Sequence, residues 1–225
     1  MTSASNSPRY RAVIFDHDGT LVDSEGTHCD CWNSVLARFD AKLTMASYLN
    51  DYNGLPTIET ARRLKERYAI TATAEELYSA KIAELKAFFE RSAFPVLPHV
   101  LATLQTLANS NIPMAIASGA NRYEVEHSVK HHQLAHFFNA TVTKTDVTNA
   151  KPAPDCYVSA AEQLGINPSA CIAIEDSDTG QQSAEAAGML CLRLSHNAEA
   201  GTLPNMQAVL DALTPLLGLE HVGLQ

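Results

Sequence analysis

The chain lacks a basic excess and any long apolar run, and each absence excludes a class of protein. Its 225 residues hold 16 lysines and arginines against 25 aspartates and glutamates, a formal net charge of −9. Neither a nucleic-acid backbone nor an anionic membrane is therefore expected as a partner. No apolar stretch could cross a bilayer, and the polar first eight residues, expected to form a disordered tail, carry no signal-peptide pattern. We expect a cytoplasmic protein.

Cysteine is also scarce, and its five residues are odd in number. Cys171 and Cys191 lie in apolar runs typical of buried strands, where a reduced thiol is expected. Cys29 and Cys31 lie in a helical pattern without a second cysteine pair, so their spacing is attributed to chance. Reduced thiols fit a reducing compartment.

What the chain does have is a regular succession of short apolar runs and helical patterns. The apolar runs cover residues 11–15, 112–117, 140–143, 170–174 and 190–194, and the helical patterns between the later runs cover 98–110, 121–133, 154–165 and 178–187. Strands that alternate with helices are typical of a parallel sheet with crossover helices. We therefore expect an α/β fold with a doubly wound, Rossmann-like parallel sheet.

Residues 24–91 break this rhythm. The interval has helical patterns over 26–39, 44–51, 57–69 and 74–91 and no convincing strand. Pro95 and Pro98, just after it, disfavour helix continuation and suit a connector. We expect residues 1–23 and 92–225 to form the α/β core. The interval 24–91 would be an inserted helical domain that lies above the strand ends as a lid.

Two carboxylates follow the first predicted strand. The apolar run stops at Asp16 and Asp18, whose side chains are expected to project on the same side because side chains alternate along an extended chain. By the same rule His17 is expected to point away, and it is assigned no chemistry. Neighbouring anions need a counter-charge, so the pair predicts a metal-assisted acid and nucleophile site.

Three further strand ends carry polar groups. Ser118 and Gly119 follow the second strand, Lys151 comes after the third, and Glu175 with Asp176 follows the fourth. In a doubly wound sheet, ligands bind outside the carboxyl ends of the strands. Carboxylates suit Mg²⁺, whereas a hydroxyl, backbone amides and an ammonium suit phosphate oxygens. The sequence thus predicts a site for a metal ion and a phosphate at this edge.

These segments resemble, in order and with ordinary spacing, four motifs of the haloacid dehalogenase superfamily of phosphatases. The branch includes β-phosphoglucomutase and small sugar-phosphate phosphatases. The matching segments are Asp16-His17-Asp18-Gly19-Thr20 for DxDGT, Ser118 at the end of an apolar strand, Lys151-Pro152-Ala153-Pro154-Asp155 for KPxPD, and Glu175-Asp176-Ser177-Asp178-Thr179-Gly180 for EDSxxG. The resemblance covers nearly the whole chain and implies an α/β core with a helical cap.

The resemblance also implies a role for each residue at the strand ends. Asp16 would attack phosphorus to form an aspartyl-phosphate, and Asp18 would protonate the leaving oxygen and later activate water. The Ser118 hydroxyl and the Gly119 amide would donate to the phosphoryl group. Lys151 would neutralise both nucleophile and phosphate. If each residue stood alone, a solvated surface charge would be the better interpretation of Lys151 and a helix N-cap that of Ser118.

A metal site is implied by the same resemblance. Mg²⁺ would be held by the carboxylates of Asp16 and Asp176 and by the backbone carbonyl of Asp18. Glu175 would be a ligand either directly or through water.

Substrate selection is expected in the cap. His28 near the connector and the loop at Asn53 and Gly54 are candidate substrate contacts by resemblance, and Gly54 suits a close backbone approach. Where β-phosphoglucomutase has an arginine shortly after this glycine, the chain has Pro56 and Thr57. Arginine is the natural bidentate ligand of a second phosphate. We therefore expect a phosphatase rather than a mutase.

Two sets of polar residues are assigned no function. Four histidines are expected to decorate an exposed helix, because no acidic or cysteine partner accompanies them; they are His127, His131, His132 and His136. Four cap cations are expected to be solvated, namely Arg62, Arg63, Lys65 and Lys81.

The leading prediction is Mg²⁺-dependent hydrolysis of a small phosphomonoester, a sugar or polyol phosphate, by a monomer or weak homodimer. One alternative is an intramolecular sugar phosphomutase. The other, from a different class, is a catalytically silent binding or regulatory protein that keeps the site as a relic.

Overall fold

A computed structural model describes residues 9–195 and 200–219, so the tail expected at residues 1–8 lies outside the described part. The chain forms two compact units. The first, called here the core unit, comprises Met1–Val22 and Val96–Gln225, and the second, called the helical unit, comprises Asp23–Pro95. No helix in the described ranges is both long and apolar enough to cross a bilayer.

The core unit contains a five-stranded sheet in which all pairs are parallel. The strands are β1 (Ala12–Phe15), β2 (Met114–Ser118), β3 (Ala140–Thr143), β4 (Cys171–Glu175) and β5 (Leu190–Arg193), in the spatial order β3-β2-β1-β4-β5. All residues of β1, β2 and β4 are buried, as expected of parallel strands covered on both faces. The predicted doubly wound α/β fold is confirmed.

Within the residues that the structure describes, the core unit has five α-helices. Its helices are α5 (Val100–Asn109), α6 (Arg122–His131), α7 (Asp155–Leu164), α8 (Asp178–Ala186) and α9 (Met206–Leu216). The first four agree with the predicted helical patterns to within two residues at each end. Tyr157, Ala160 and Ala161 of α7 pack with strand residues such as Ile14 in one apolar cluster, which joins helix to sheet.

The helical unit contains α1 (Glu25–Leu36), α2 (Met45–Asp51), α3 (Thr57–Arg67) and α4 (Ala74–Phe89), and no strand. Its own apolar cluster includes Trp32, Leu36, Leu64 and Leu77. Helix α4 begins with a capping box between Thr73 and Glu76. The helical unit therefore has an apolar interior of its own.

The bounds of the helical unit extend one residue before and four residues beyond the interval 24–91. The first and last residues of the unit are joined by a hydrogen bond, since the Asp23 amide donates to the Pro95 carbonyl at 2.8 Å. The Phe94 ring also packs edge-on against Phe89 at 5.0 Å between centroids.

Register places the polar strand ends beside one another. Phe15, the last residue of β1, pairs with Ile116 of β2 and Ile174 of β4. Strand order reverses around β1, which is where doubly wound sheets form a crevice. Ser118 and Glu175 prove to be the last residues of their strands rather than the first residues beyond them, because pairing with β3 and β5 extends that far.

Candidate active site

Asp16 lies at the crevice formed by the central strands. Its amide donates to the Ile174 carbonyl at 2.9 Å, which continues the pairing of β1 with β4 by one residue. Its side chain is buried, with 9% exposed. A buried carboxylate needs a positive partner or strong donors to remain ionised.

Lys151 supplies that positive partner. Its ammonium donates to Asp16 Oδ1 at 2.6 Å, to Glu175 Oε1 at 2.6 Å and to the Ala117 carbonyl at 2.9 Å. Burial works against the charged form, but the carboxylates of Asp16 and Glu175 raise the pKa of Lys151 above its ordinary value. All three N–H donors are therefore used by the site, and Lys151 is no solvated surface charge.

Glu175 is fully buried and accepts hydrogen bonds from both sides of its carboxylate. Oε1 accepts from Lys151 and from the Tyr157 hydroxyl at 2.8 Å. Oε2 accepts from the Asp176 amide at 3.1 Å and from the amide and hydroxyl of Ser177 at 3.3 and 3.1 Å. A carboxylate has about four lone-pair directions. A direct bond to a metal would therefore compete with donors already in place.

Tyr157 is a member of the site that the sequence analysis missed. It is fully buried on α7, its hydroxyl holds Glu175, and the Lys151 ammonium lies 4.8 Å from its ring centroid. A buried tyrosine hydroxyl requires a polar partner. Its place two residues after Asp155, on a helix that starts at the KPxPD segment, was the only sequence clue.

Two glycines make room for the carboxylates. Gly19 has a φ of +73°, and a Cβ there would overlap the Asp176 carboxylate. A Cβ at Gly180 would overlap the carboxylate of Glu175. Glycine is therefore required on steric grounds at these positions of DxDGT and EDSxxG, because any larger residue would displace the acidic groups.

The acidic groups form one cluster. Asp16, Glu175 and Asp176 each offer a carboxylate oxygen within 4.8 Å of the others. Burial, and then the charge of Glu175, raise the pKa of Asp16 to about 7 even though Lys151 opposes the shift. Burial and the charges of Asp16 and Glu175 raise the pKa of Asp176 well above its ordinary value. A divalent cation would relieve this repulsion, so the donor set fits Mg²⁺.

Ser118 is the last residue of β2, the strand that pairs with β1. It is fully buried, and its hydroxyl oxygen accepts from the Ala120 amide at 2.9 Å. The hydroxyl proton can therefore donate to another group. The N-cap of α6 is Asn121, so Ser118 is no helix cap. Gly119 beside it is exposed, and nothing lies within 4 Å of the position its Cβ would take.

Comparisons with known proteins identify the family of the chain. A family model described as haloacid dehalogenase-like hydrolase matches residues 13–194, which is most of the chain. The chain belongs to the haloacid dehalogenase-like hydrolases. The family and the enzyme class predicted from the four motifs, a phosphatase-type hydrolase, are confirmed.

Three members of that family illustrate its range. The fructose-1-phosphate phosphatase YqaB of Escherichia coli is 33% identical over 181 residues, 80% of this chain and 94% of that protein. A family hydrolase of Deinococcus radiodurans, solved with bound phosphate and sodium, is 27% identical with a TM-score of 0.72 and covers 92% and 89% of the two chains. A putative β-phosphoglucomutase of Thermotoga maritima is 25% identical with a TM-score of 0.73, covering 92% and 97%.

His17 departs from the prediction for this hydrolase. It was expected to point away from the carboxylates, and this is wrong, because its buried ring places Nδ1 3.2 Å from Asp18 Oδ2. The extended chain ends with β1, so alternation no longer applies. The amides of Leu21 and Val22 both donate to the His17 carbonyl, which closes a tight turn. Asp18 stays close enough to Asp16 for its charge to raise the pKa of Asp16.

The three predicted substrate contacts of the cap lie in the helical unit. His28 Nδ1 is 3.1 Å from the Lys81 ammonium. The expectation that Lys81 is solvated is wrong, since only 3% of it is exposed. Its place on α4, which packs along α1, buries it. Asn53 and Gly54 are exposed on the loop between α2 and α3, where Gly54 has a φ of +75°.

The other cap cations and the four histidines form surface or backbone contacts. Arg62 and Arg63 are about half exposed and pair with Glu59, whereas Lys65 donates to the carbonyls of Ile70 and Ala72. Of the four histidines expected on one exposed helix, His127 and His131 lie on α6 and His132 is its C-cap, whereas His136 lies in a separate 3-10 turn at 135–137. None of them belongs to a group of three potential metal ligands within the described ranges, where the acidic cluster is the one such group found.

Proposed function

We propose that this protein is an Mg²⁺-dependent phosphatase that hydrolyses a small phosphomonoester through an aspartyl-phosphate at Asp16. The observation that carries the proposal is the position of Asp16, buried at the crevice and bonded to Lys151 beside Asp176. A nucleophilic carboxylate must meet a phosphate dianion, and this arrangement supplies the compensating charge.

In the first step an oxygen of Asp16 forms a bond to phosphorus as the ester P–O bond breaks. Asp18 gives its proton to the departing alcohol oxygen and becomes a carboxylate. In the second step that carboxylate takes a proton from water, whose oxygen attacks phosphorus and releases inorganic phosphate and free Asp16. One residue serves as acid and then base, as two successive steps require.

The other residues of the crevice stabilise charge. Lys151 would act on the phosphoryl oxygens through its positive charge while its N–H groups stay on Asp16, Glu175 and the Ala117 carbonyl, and the Ser118 hydroxyl and Gly119 amide would donate to the phosphoryl oxygens. The carboxylates of Asp16 and Asp176 and the Asp18 carbonyl would hold Mg²⁺, with Glu175 acting through its hold on Lys151 or through water. When bound, the ion supplies positive charge that offsets the repulsion between nucleophile and phosphate.

For the substrate we propose a sugar or polyol phosphate, selected by the helical unit acting as a cap with His28, Asn53 and Gly54. The support is the E. coli relative, which is a fructose-1-phosphate phosphatase. The chain has Pro56 and Thr57 where a mutase would need a grip on a second phosphate, so hydrolysis is favoured over transfer. Five free cysteines support a reducing compartment, the cytoplasm, and we propose a monomer or weak homodimer.

The test is a phosphate-release screen over phosphorylated metabolites, fructose 1-phosphate among them, with MgCl₂ and with EDTA. We expect release that needs Mg²⁺ and that falls to the assay background in Asp16→Asn, which keeps the side-chain shape but removes the nucleophile. Phosphate release unchanged by Asp16→Asn would refute the proposal. Isomerisation of a hexose 1-phosphate without free phosphate would favour the mutase, and no turnover of any ester would favour a binding protein.

A further inference from the structure

The contact between His17 and Asp18 has no place in the roles assigned above. His17 is 1% exposed, and its Nδ1 lies 3.2 Å from Asp18 Oδ2. With the imidazole proton on Nδ1, the ring donates to Asp18 Oδ2, and this oxygen can accept whether Asp18 is ionised or carries its proton on Oδ1. The side chain of Asp18 is 26% exposed, whereas that of His17 is held inside the protein.

The surroundings of His17 keep its ring in one place. Its carbonyl accepts the amides of Leu21 and Val22, which restricts the backbone on which the ring is mounted. The charges that face the ring come from Asp16 and Asp18 on its own segment and from Glu124 on α6. Glu124 is itself buried, and its Oε1 accepts from the side-chain Nδ2 of Asn121 at 3.3 Å. A ring so enclosed can hold a mobile neighbour in a defined orientation.

Orientation matters for Asp18 because a carboxyl group transfers a proton efficiently only within hydrogen-bond reach of the receiving atom. A short side chain at the rim of a crevice has two torsions to fix, and a bond to a buried ring restricts both of them. The same bond would return the carboxyl to the same place for the second step.

We infer that His17 is a positioning residue, whose Nδ1 hydrogen bond sets the Asp18 carboxyl for proton transfer to the leaving oxygen. The inference rests on the proposed function, in which Asp18 is the acid of the first step. It adds a residue between the two aspartates, in a position where the sequence alternation predicted no role.

Two aryl esters of nearly the same shape test this directly. p-Nitrophenolate is a stable anion and leaves with little help from an acid, whereas phenolate from phenyl phosphate needs a proton more. The ratio of kcat/KM for the two esters therefore reports on the acid of the first step. A merely structural defect would lower both values alike.

We compare His17→Leu, which removes the donor, with His17→Asn, which can place an amide N–H near the former Nδ1 position. The full-length protein is assayed in MgCl₂. For His17→Leu we expect kcat/KM to fall about tenfold more for phenyl phosphate than for p-nitrophenyl phosphate, a part of the usual contribution of a general acid. His17→Asn should return the ratio to within about threefold of the wild-type value.

If His17→Leu keeps the wild-type ratio of kcat/KM for the two esters, whether both values fall equally or neither falls, the inference is overturned. The proposed function fails separately, when the wild-type protein releases no phosphate or Asp16→Asn retains the activity. A second readout does not use activity: in ¹⁵N-histidine NMR spectra, His17 Nδ1 should be protonated and its shift should move in Asp18→Ala. An unprotonated Nδ1, or a shift that Asp18→Ala leaves unchanged, would overturn the inference as well.

Discussion

Among the residues that the structure describes, the core unit has a group of buried charges that the helical unit lacks, although the core unit also has exposed ion pairs such as Arg122 with Glu126. In the core unit the charged groups that meet at the crevice are buried and share partners, as Lys151 does with Asp16 and Glu175. In the helical unit most ion pairs are exposed, as in Arg38 with Glu84 or Arg67 with Asp51. Buried charges are costly unless fully paired, whereas exposed pairs contribute little. Substitutions at the buried charges of the crevice are therefore expected to cost more stability than substitutions at the exposed pairs of the helical unit.

Lys81 is an exception within the helical unit, because only 3% of it is exposed and its ammonium lies 3.1 Å from Nδ1 of the partly buried His28. Substitutions in the two units should differ in their cost, most of all at Lys151.

Lys151→Met keeps most of the side-chain length and removes the charge. Asp16 and Glu175 would then be buried without their cation, and losing one partner of a buried pair costs about 3–5 kcal/mol. We expect the free energy of unfolding in urea to fall by about that amount and phosphate release to be lost. A stability within about 1 kcal/mol of wild type would show that the acidic cluster does not need Lys151.

Removal of divalent metal should make the core unit sensitive to pH. The folded pKa of Asp16, about 7, lies above the unfolded value of 3.8, so the folded state binds more protons between those values. Asp16 therefore stabilises the fold at low pH, and that contribution is lost as pH rises towards 7, with a slope of up to about 1.4 kcal/mol per pH unit.

The measurement is urea unfolding in EDTA at several pH values between about 5 and 7. Asp16→Asn should show a shallower decline than wild type, and excess MgCl₂ should restore stability at the upper end. A wild-type curve that rises with pH over this range would contradict the expected sign.

Gly180→Ala should destabilise the core by steric overlap with the Glu175 carboxylate. Overpacking of a buried position typically costs about 1–3 kcal/mol. Gly119→Ala is the matched control for stability, because nothing lies within 4 Å of its Cβ position. Thermal unfolding should separate the two variants, and equal melting temperatures would show that the carboxylate can move aside.

Arg38→Ala should have the smallest effect. Its ion pair with Glu84 is formed by side chains that are 56% and 31% exposed. Exposed pairs contribute about 0.2–1 kcal/mol, and salt screens them. We expect chemical denaturation to differ from wild type by less than about 1 kcal/mol at 0.5 M NaCl. A loss as large as that of Lys151→Met would erase the contrast between the two units.

Much of the fold could be predicted because the relevant patterns are local. The helical stretches after residue 98 and those within 24–91 follow from apolar spacing, and the described helices match them closely. The ends of β2 and β4 were placed one residue early, at residues 117 and 174. A polar residue after an apolar run predicts the end of a strand. Ser118 and Glu175 are polar, but both still pair with the neighbouring strand.

Some residues of the site were predicted and others were not. Asp16, Lys151, Glu175 and Asp176 do converge. The orientation of His17 was wrong, because the chain turns directly after β1 and side-chain alternation no longer applies. Lys81 and Tyr157 were missed as buried polar residues, since their burial depends on helices and strands that are distant in the sequence.

By itself the sequence determined where strands and helices lie and which polar residues stand at the strand ends, because periodicity and motif spacing act over a few residues. Only the tertiary structure decided which of those residues touch. Lys151 reaches Asp16 across 135 positions of the sequence, and Tyr157 of α7 meets Glu175 of β4. Such contacts arise when parallel strands bring distant segments to one edge, and no local pattern encodes their distances.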